Sequence, residues 1–358
     1  MNWFHRINSV ALLLCFIVVV FGAFVRLSNA GLGCPDWPGC YGHLAVPDAP
    51  HELTSAEQSF PQRPVEAQKA WKEMIHRYLA GSVGTLIALM AFLAARDRDG
   101  YLPRRLAFAT VGVVIVQIVF GALTVTMRVN PLIVTTHLLL GLITLSLVWL
   151  MWLRGCAAAN SAPAPATPLR EPRNEREAWT AMAPAAATPI TTAPMGARFL
   201  AAFALAVLAV QIFLGGWTST NYAAVACPDF PTCQGSYLPR TDIATAFTLW
   251  HGAGVNYEFG ILDSAGRATI HLMHRYGAGV VAITLGAIAL YVLLRAKDSL
   301  WRRLGTALLA ALLLQLCIGV GVVEMRFPLW LADAHNAGAA VLLLTVIALN
   351  FFAWRKHA

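Results

Sequence analysis

Long runs of apolar residues dominate the chain, and they predict membrane-spanning helices. A helix needs about 20 mostly apolar residues to cross the hydrocarbon core of a bilayer. Eight segments meet this requirement: 8–25, 74–95, 106–127, 132–153, 198–218, 268–294, 304–325 and 331–353. The runs are continuous and do not alternate with a period of two, which favours helices over a β-barrel. The sequence therefore predicts an all-α membrane protein with eight transmembrane helices.

Composition excludes the soluble classes of protein. Charged residues make up 12% of the 358 residues and hydrophobic residues 58%, whereas a soluble domain carries roughly 25% charged residues. The lipid bilayer is therefore the expected solvent. The formal net charge is +8, but no basic patch with interleaved aromatic residues is present, so we expect no nucleic-acid partner.

The basic residues predict the orientation of the helices. The connections 96–105 and 295–303 carry four Lys or Arg each, whereas 128–131 and 326–330 carry one each. Because basic residues accumulate in cytoplasmic loops, the first pair and both termini are expected to be cytoplasmic. The first apolar run is longer than that of a typical signal peptide, which favours a retained anchor over a cleaved signal.

The sequence also aligns with itself after a shift of about 195 residues. The repeat pairs Cys34–Gly42 with Cys227–Gly235, Met74–Gly81 with Leu272–Gly279, and Gln117–Gly121 with Gln315–Gly319. Four spans return the chain to the same side, so the two copies share one topology, as in some transporters with parallel repeats. The repeat predicts two pseudo-symmetric four-helix bundles.

The predicted organisation has three parts. The Ala/Pro-rich segment between the halves is expected to be a flexible cytoplasmic linker, because it cannot bury enough apolar surface to fold. The parts are an N-terminal bundle at 1–154 with an outer loop at 26–72, the linker at 155–197, and a C-terminal bundle at 198–358 with an outer loop at 219–267.

Each half places one histidine early in its second helix and one early in its fourth. These are His76 and His137 in the first half, and His274 and His335 in the second. Ionisable groups inside a span are functional candidates, and two facing imidazoles commonly hold a haem by both axial positions. The alternatives are a hydrogen bond between buried histidines and a zinc site, which would need further Cys or carboxylate ligands. Two repeated pairs at matching depth favour haem.

The repeat differs at one position beside these histidines. Glu73 stands three residues before His76, whereas His271 stands three residues before His274. Residues at i and i+3 share a helix face, and a carboxylate beside a metal centre can move protons or position water. The alternative is a surface Glu73 paired with Arg77 or Lys72. The difference predicts two unequal sites, one catalytic and one structural or electron-transferring, and leaves the role of His271 open.

An arginine directly follows the first histidine of each half. Arg77 and Arg275 are candidates for contacts with haem propionates through the planar guanidinium, or for side chains that reach the lipid headgroups. Arg26 and Arg128, near the same membrane boundary, are weaker candidates for the same role.

Four of the seven cysteines form two pairs with a spacing of six, Cys34 with Cys40 and Cys227 with Cys233. Both pairs lie in predicted outer loops, where an oxidising environment favours disulfides. A structural disulfide is favoured over a redox-active pair or a metal site. Cys15, Cys156 and Cys317 are single and are interpreted as packing residues.

Taken in order, these motifs resemble the bacterial haem A synthases. The resemblance covers the chain outside the linker, and it depends on the combination of motifs more than on any single one. The motifs are Gly22–Cys40, Glu73–Arg77, Thr136–His137, Cys227–Gly235, Asn256–Gly260, His274–Arg275 and Asp333–His335.

The resemblance implies an oxidoreductase in the bacterial inner membrane. Members of the family oxidise the C8 methyl group of haem O to a formyl group through two successive hydroxylations, with water as the oxygen source. It implies haem b as the cofactor, and it leaves the electron acceptor open. The implied roles are haem b axial ligands for His274 and His335, substrate haem ligands for His76 and His137, catalysis for Glu73, and a link to activity for Cys34 and Cys40.

Other functions remain as alternatives. A bis-histidine cytochrome b that exchanges electrons with quinol explains the four histidines but not the Glu73/His271 difference. A haem transporter suits the repeat. A di-iron site would need the Glu73-x-x-His76 motif twice, and the second copy begins with His271. Contacts with haem O synthase or with cytochrome oxidase assembly, and assembly into a homo-oligomer, are not determined by the sequence.

Overall fold

Ten α-helices make up the computed structural model within the residues that it describes, 3–98, 100, 102–161, 194–252 and 254–355. They are α1 (Trp3–Leu27), α2 (Pro50–Ser59), α3 (Ala67–Arg96), α4 (Arg104–Thr126), α5 (Pro131–Ser161), α6 (Ala197–Thr220), α7 (Ile243–Ala246), α8 (Ser264–Arg295), α9 (Ser299–Glu324) and α10 (Leu329–Trp354). All except α2 and α7 are long and apolar enough to cross a membrane. The prediction of an all-α protein with eight spanning helices is therefore confirmed.

The spanning helices extend beyond the predicted apolar segments, because hydropathy reports the thickness of the hydrocarbon and not the length of the helix. Helix α5 continues to Ser161, into the segment predicted as a linker, and α6 begins at Ala197. Helix α8 begins at Ser264, where Asp263 accepts a hydrogen bond from the backbone N–H of Gly266 at 2.8 Å. The remainder of the predicted flexible linker, 162–193, lies outside the described residues.

Helix packing follows the same order in both halves. Helices α1 and α4 both pack against α3 and α5, and helices α6 and α9 both pack against α8 and α10. Contacts of α1 with α10, and of α5 with α6 and α10, join the halves. These pairs agree with two pseudo-symmetric bundles, an arrangement that stays a prediction. The long loops 28–66 and 221–263 lie at one end of the helices, which we call the loop side.

Small residues allow the helices to approach closely in the core. Several alanines are fully buried in the largest cluster of buried apolar residues: Ala11, Ala201, Ala204, Ala289 and Ala340. In lipid, helix association depends on close van der Waals packing, because lipid tails are as apolar as the side chains. The core therefore positions the helices by close backbone contact.

Arg26 joins the two halves at the loop side. Its Nη2 donates hydrogen bonds of 3.1 Å to the backbone oxygens of Ser219 and Thr220, at the end of α6. The guanidinium also lies over the ring of Tyr222, 4.1 Å from the ring centre. All these partners belong to the second half, so the structure uses Arg26 as a contact between halves.

The long loops add further contacts between the halves. Arg63 forms a 3.0 Å ion pair with Glu258. The backbone N–H of Tyr257 donates to the Arg128 oxygen at 3.2 Å, and Arg128 Nη1 donates to the Gly254 oxygen at 3.3 Å. The second outer loop therefore contacts both the first outer loop and the connection between α4 and α5.

Replacement of Arg26 tests this junction. Arg26→Leu removes the donor to the Thr220 oxygen and one of the donors to the Ser219 oxygen, together with the cation–π contact, so we expect a loss of about 1–3 kcal/mol in stability. Thermal unfolding of the purified protein in detergent measures this as a lower midpoint. Arg128→Leu is the control, because Arg128 is exposed and its replacement should cost at most about 0.5 kcal/mol. Equal midpoints for the two variants would contradict the role of Arg26.

Candidate functional site

The four histidines lie in spanning helices, close to the loop side. His76 is on α3 and His137 on α5, whereas His274 is on α8 and His335 on α10. Each is partly buried. The two helices that carry histidines in each half both begin at the loop side, so each pair lies at similar depth.

The second pair of histidines has the spacing of two axial ligands. The ring centres of His274 and His335 are 6.3 Å apart, with an angle of 85° between the ring planes. Two imidazole nitrogens on opposite faces of one iron, each about 2 Å from the metal, place the ring centres roughly 6 Å apart. The separation of the two ring centres therefore matches that of two axial ligands of one iron.

Glycines on neighbouring helices make room for all four imidazoles. A Cβ atom on any of these glycines would lie only 2.7–3.2 Å from the Cε1 atom of a ring, closer than nearly all real contacts. The pairs are Gly22 with His76, Gly121 with His137, Gly215 with His274, and Gly319 with His335. The repeat includes Gly121 and Gly319, but their contacts with histidine were not predicted from the sequence.

Glu73 is buried beside the first disulfide loop. The residue is 5% exposed. Oε2 accepts a hydrogen bond from the Cys34 N–H at 3.0 Å, and Oε1 lies 2.5 Å from Nη2 of Arg77. The alternative ion pair between Glu73 and Arg77 is thus present, but it is buried and does not lie on the surface.

Arg77 anchors the first disulfide loop to α3. It donates to the backbone oxygens of Asp36 at 3.0 Å and Pro38 at 3.1 Å, and also to that of Gly39. The Arg77 guanidinium therefore donates to backbone oxygens of the loop and also forms the ion pair with Glu73. The proposed contact of Arg77 with a propionate stays a prediction.

Arg275 has the equivalent position in the second half. It donates to the backbone oxygens of Thr232 at 2.7 Å and Cys227 at 2.9 Å. Its Nε also donates to Nε2 of His271 at 3.2 Å. The buried His271 therefore replaces Glu73 as the neighbour of the arginine and serves as a hydrogen-bonding group. The propionate contact of Arg275 likewise stays a prediction.

Both cysteine pairs form disulfides, Cys34 with Cys40 and Cys227 with Cys233. Each ring contains an aspartate that accepts two backbone hydrogen bonds from the turn that follows. Asp36 accepts from Tyr41 at 2.6 Å and Gly42 at 2.8 Å.

Asp229 repeats this arrangement with Gln234 at 2.7 Å and Gly235 at 3.0 Å. Gly235 has φ +75°, and its counterpart Gly42 has φ +80°, a region that favours glycine. The role of the aspartates was missed, although the repeated Cys-Pro-Asp motif could have indicated it.

The second loop gives a prediction about pH. Hydrogen bonds from the Thr232 hydroxyl and from the N–H groups of Gly235 and Gln234 lower the pKa of Asp229. The pKa of Asp229 is lower in the folded loop than in the unfolded chain. The ionised carboxylate therefore stabilises the loop above about pH 4, and this stabilisation is lost as the pH falls through the folded pKa of Asp229.

We therefore expect Asp229→Asn to speed reduction of the Cys227–Cys233 disulfide by a phosphine. The ratio of the variant rate to the wild-type rate should be constant from about pH 7 to 5 and approach one below about pH 4. Mass spectrometry of alkylated cysteines measures both rates. Asp242→Asn is the control. Asp242 also accepts a backbone hydrogen bond, from Thr245 at the start of α7, but it lies outside the ring that the Cys227–Cys233 disulfide closes, so its replacement should leave the reduction rate unchanged. A ratio of one at pH 7 would contradict the prediction.

The described residues contain no group of three or more His, Cys, Asp or Glu side chains that could hold a metal ion. The part of the chain in the structure therefore offers neither the clustered ligands of a zinc site nor those of a di-iron site. The His274–His335 pair is a candidate for metal ligation on its own geometry. The fold and the site define a multi-pass membrane protein with a histidine pair suited to haem.

Comparisons with known proteins identify the family. Residues 5–347 match the family model COX15-CtaA, described as cytochrome oxidase assembly protein. A protein of Shewanella oneidensis named Heme A synthase is 41% identical over 360 residues, which cover 100% of this chain and 98% of that protein. A protein of the same name from Caulobacter vibrioides is 30% identical, covering 95% and 92%. The chain belongs to this family.

Proposed function

We propose that the chain is an oxidoreductase that converts haem O into haem A, the activity that names its relatives. The observation that carries the proposal is the spacing of His274 and His335 in a chain that matches the family almost throughout. The reaction turns a methyl group and one water molecule into a formyl group, four protons and four electrons. Two hydroxylations each take an oxygen from water, and the resulting diol loses one water. An acceptor outside this chain takes the four electrons.

Haem b is the proposed resident cofactor, held by His274 and His335. When bound, it supplies one-electron redox chemistry that can pass electrons away from the substrate. The support is the 6.3 Å separation of the ring centres, together with the space that Gly215 and Gly319 leave beside the rings. The two residues hold the cofactor and orient it in the second half.

Haem O is the proposed substrate of the first half, where His76 and His137 take its iron. Glu73, one turn before His76, is the proposed catalytic residue. A carboxylate that is held by Arg77 and by the Cys34 N–H has a fixed orientation, which suits acceptance of a proton from the attacking water. The Cys34–Cys40 disulfide restrains the loop that supplies this N–H.

The proposed location is the bacterial inner membrane, with both termini in the cytoplasm. The support is the concentration of Lys and Arg in the connections at 96–105 and 295–303, which favours the cytoplasmic side. The loop side then faces the oxidising compartment, in agreement with its two disulfides.

Replacement of Glu73 tests the catalytic assignment. In cells that supply haem O, Glu73→Gln should abolish formation of haem A, because the amide cannot accept the proton, and should retain haem b. Chromatography of the extracted haems measures both. Glu66→Gln is the matched control, because Glu66 is a half-exposed partner of Lys69 at 2.8 Å and should leave haem A at the wild-type level. Wild-type haem A in the Glu73 variant would overturn the assignment. Haem b alone in the wild-type protein would favour a cytochrome b.

The glycines beside the rings give a second test. The added Cβ in Gly319→Ala would lie 2.9 Å from Cε1 of His335, so the imidazole must move away from its position. We expect a roughly tenfold or greater loss of haem b affinity, as for other changes that misplace a metal ligand. The haem-to-protein ratio of the purified protein measures this. Gly279→Ala is the control, because nothing lies within 4 Å of its added Cβ. Equal haem content in both variants would contradict the prediction.

A further inference from the structure

A segment of the second outer loop packs on the first half of the protein. It covers residues 254–260, shortly before α8, and we call it the strap. The backbone N–H of Tyr257 donates to the Arg128 oxygen at 3.2 Å, and Glu258 forms the 3.0 Å ion pair with Arg63. Both partners belong to the first half, so the strap reaches across the boundary between the halves.

Tyr257 of the strap is buried among apolar side chains of the first half. The residue is 3% exposed, and it shares a buried cluster with Leu32, Val125 and Val129. Val134, which is partly buried, packs against the same cluster. Aromatic side chains bury a large apolar area. The strap is therefore held on the first half by an apolar contact as well as by polar ones.

This cluster lies one helical turn from His137, on the loop side. On α5, Val134 precedes His137 by three residues, and on α4, Val125 follows Gly121 by four. Residues at these spacings share a helix face. Gly121 faces the imidazole, because an added Cβ would meet Cε1 of His137 at 3.2 Å. The strap therefore covers the loop-side end of the groove between α4 and α5 in which this imidazole lies.

The equivalent connection in the second half is more exposed. Between α4 and α5, Asn130 is 1% exposed and Pro131, the first residue of α5, is also buried. After a shift of 198 residues these positions become Pro328, which is only partly buried, and Leu329, which is 37% exposed. The two halves therefore differ in how the loop side covers their histidine-bearing helices.

We propose that the strap closes the first histidine pair on the loop side, so that the second half completes the site of the first, with Tyr257 as the side chain that blocks the end of the groove. For the identity of the ligand, a haem at His76 and His137, this inference rests on the proposed function. An intermediate must stay bound between the two hydroxylations, and a closed end hinders its escape into water.

Cysteine labelling of the purified protein tests this closure. In protein whose three free cysteines are replaced by serine, Val134→Cys places a thiol under the strap, and its reaction rate with a negatively charged methanethiosulfonate measures access from water. Tyr257→Ala should raise this rate about tenfold or more, because loss of a large buried side chain promotes local opening. Ala332→Cys, at the matching and equally half-buried position of α10, is the control, and its rate should not respond to Tyr257→Ala.

The ion pair of the strap gives a milder second test. Arg63→Gln and Glu258→Gln remove the same ion pair, so each should raise the labelling rate of Val134→Cys about two- to fivefold, and the double variant should exceed neither. Leu249→Ala, at a 49% exposed residue before the strap, should leave the rate unchanged. An unchanged rate in Tyr257→Ala would overturn the proposal. If that variant does not fold, unchanged rates in both ion-pair variants would overturn it instead.

A separate measurement tests the identity of the ligand. Haem O added before labelling should slow the reaction at Val134→Cys and leave that at Ala332→Cys unchanged. Faster labelling in Tyr257→Ala without protection by haem O would support the strap and refute the proposed substrate site. Protection by haem O without any effect of Tyr257→Ala would refute the strap alone.

Discussion

The cost of placing ionisable groups in hydrocarbon governs this structure. Lipid offers no hydrogen bonds, so each polar side chain inside a span needs a partner from the protein or from a ligand. Arg26 binds the end of α6, and Glu73 binds Arg77 and the Cys34 N–H. The histidines are different, because His76 and His137 retain a buried nitrogen without a partner in the described residues. Side chains that the protein does not satisfy are natural positions for a ligand.

The internal repeat separates what the scaffold needs from what each site needs. Arg77 and Arg275 have the same task in both halves, since each ties a disulfide loop to the helix that carries the first histidine. The neighbouring position differs: Glu73 pairs with Arg77 and accepts from the Cys34 N–H, whereas His271 accepts a hydrogen bond from Arg275. The repeat therefore keeps one architecture while it places different side chains at matching positions.

The sequence predicted the features that depend on local pattern: the eight spans, the repeat, the histidine pairs and the cysteine pairs. It did not predict the continuation of α5 to Ser161, because propensity can continue a helix past the membrane boundary. It also missed the partners of Arg77, which lie about 40 residues away in the disulfide loop. Contacts between distant segments depend on how the loop packs, and spacing along the chain does not encode that packing.

A cofactor and a substrate of similar shape place opposite demands on a duplicated site. In the proposed reaction, a resident haem must stay through many turnovers, while a substrate haem must leave after one. The position one turn before the first histidine of each pair carries Glu73 in one half and His271 in the other. Glu73 pairs with Arg77, whereas His271 accepts a hydrogen bond from Arg275. Both arginines still tie their disulfide loop to the helix, so a substitution at this one repeated position changes the chemical group beside the histidine without changing how the loop is held.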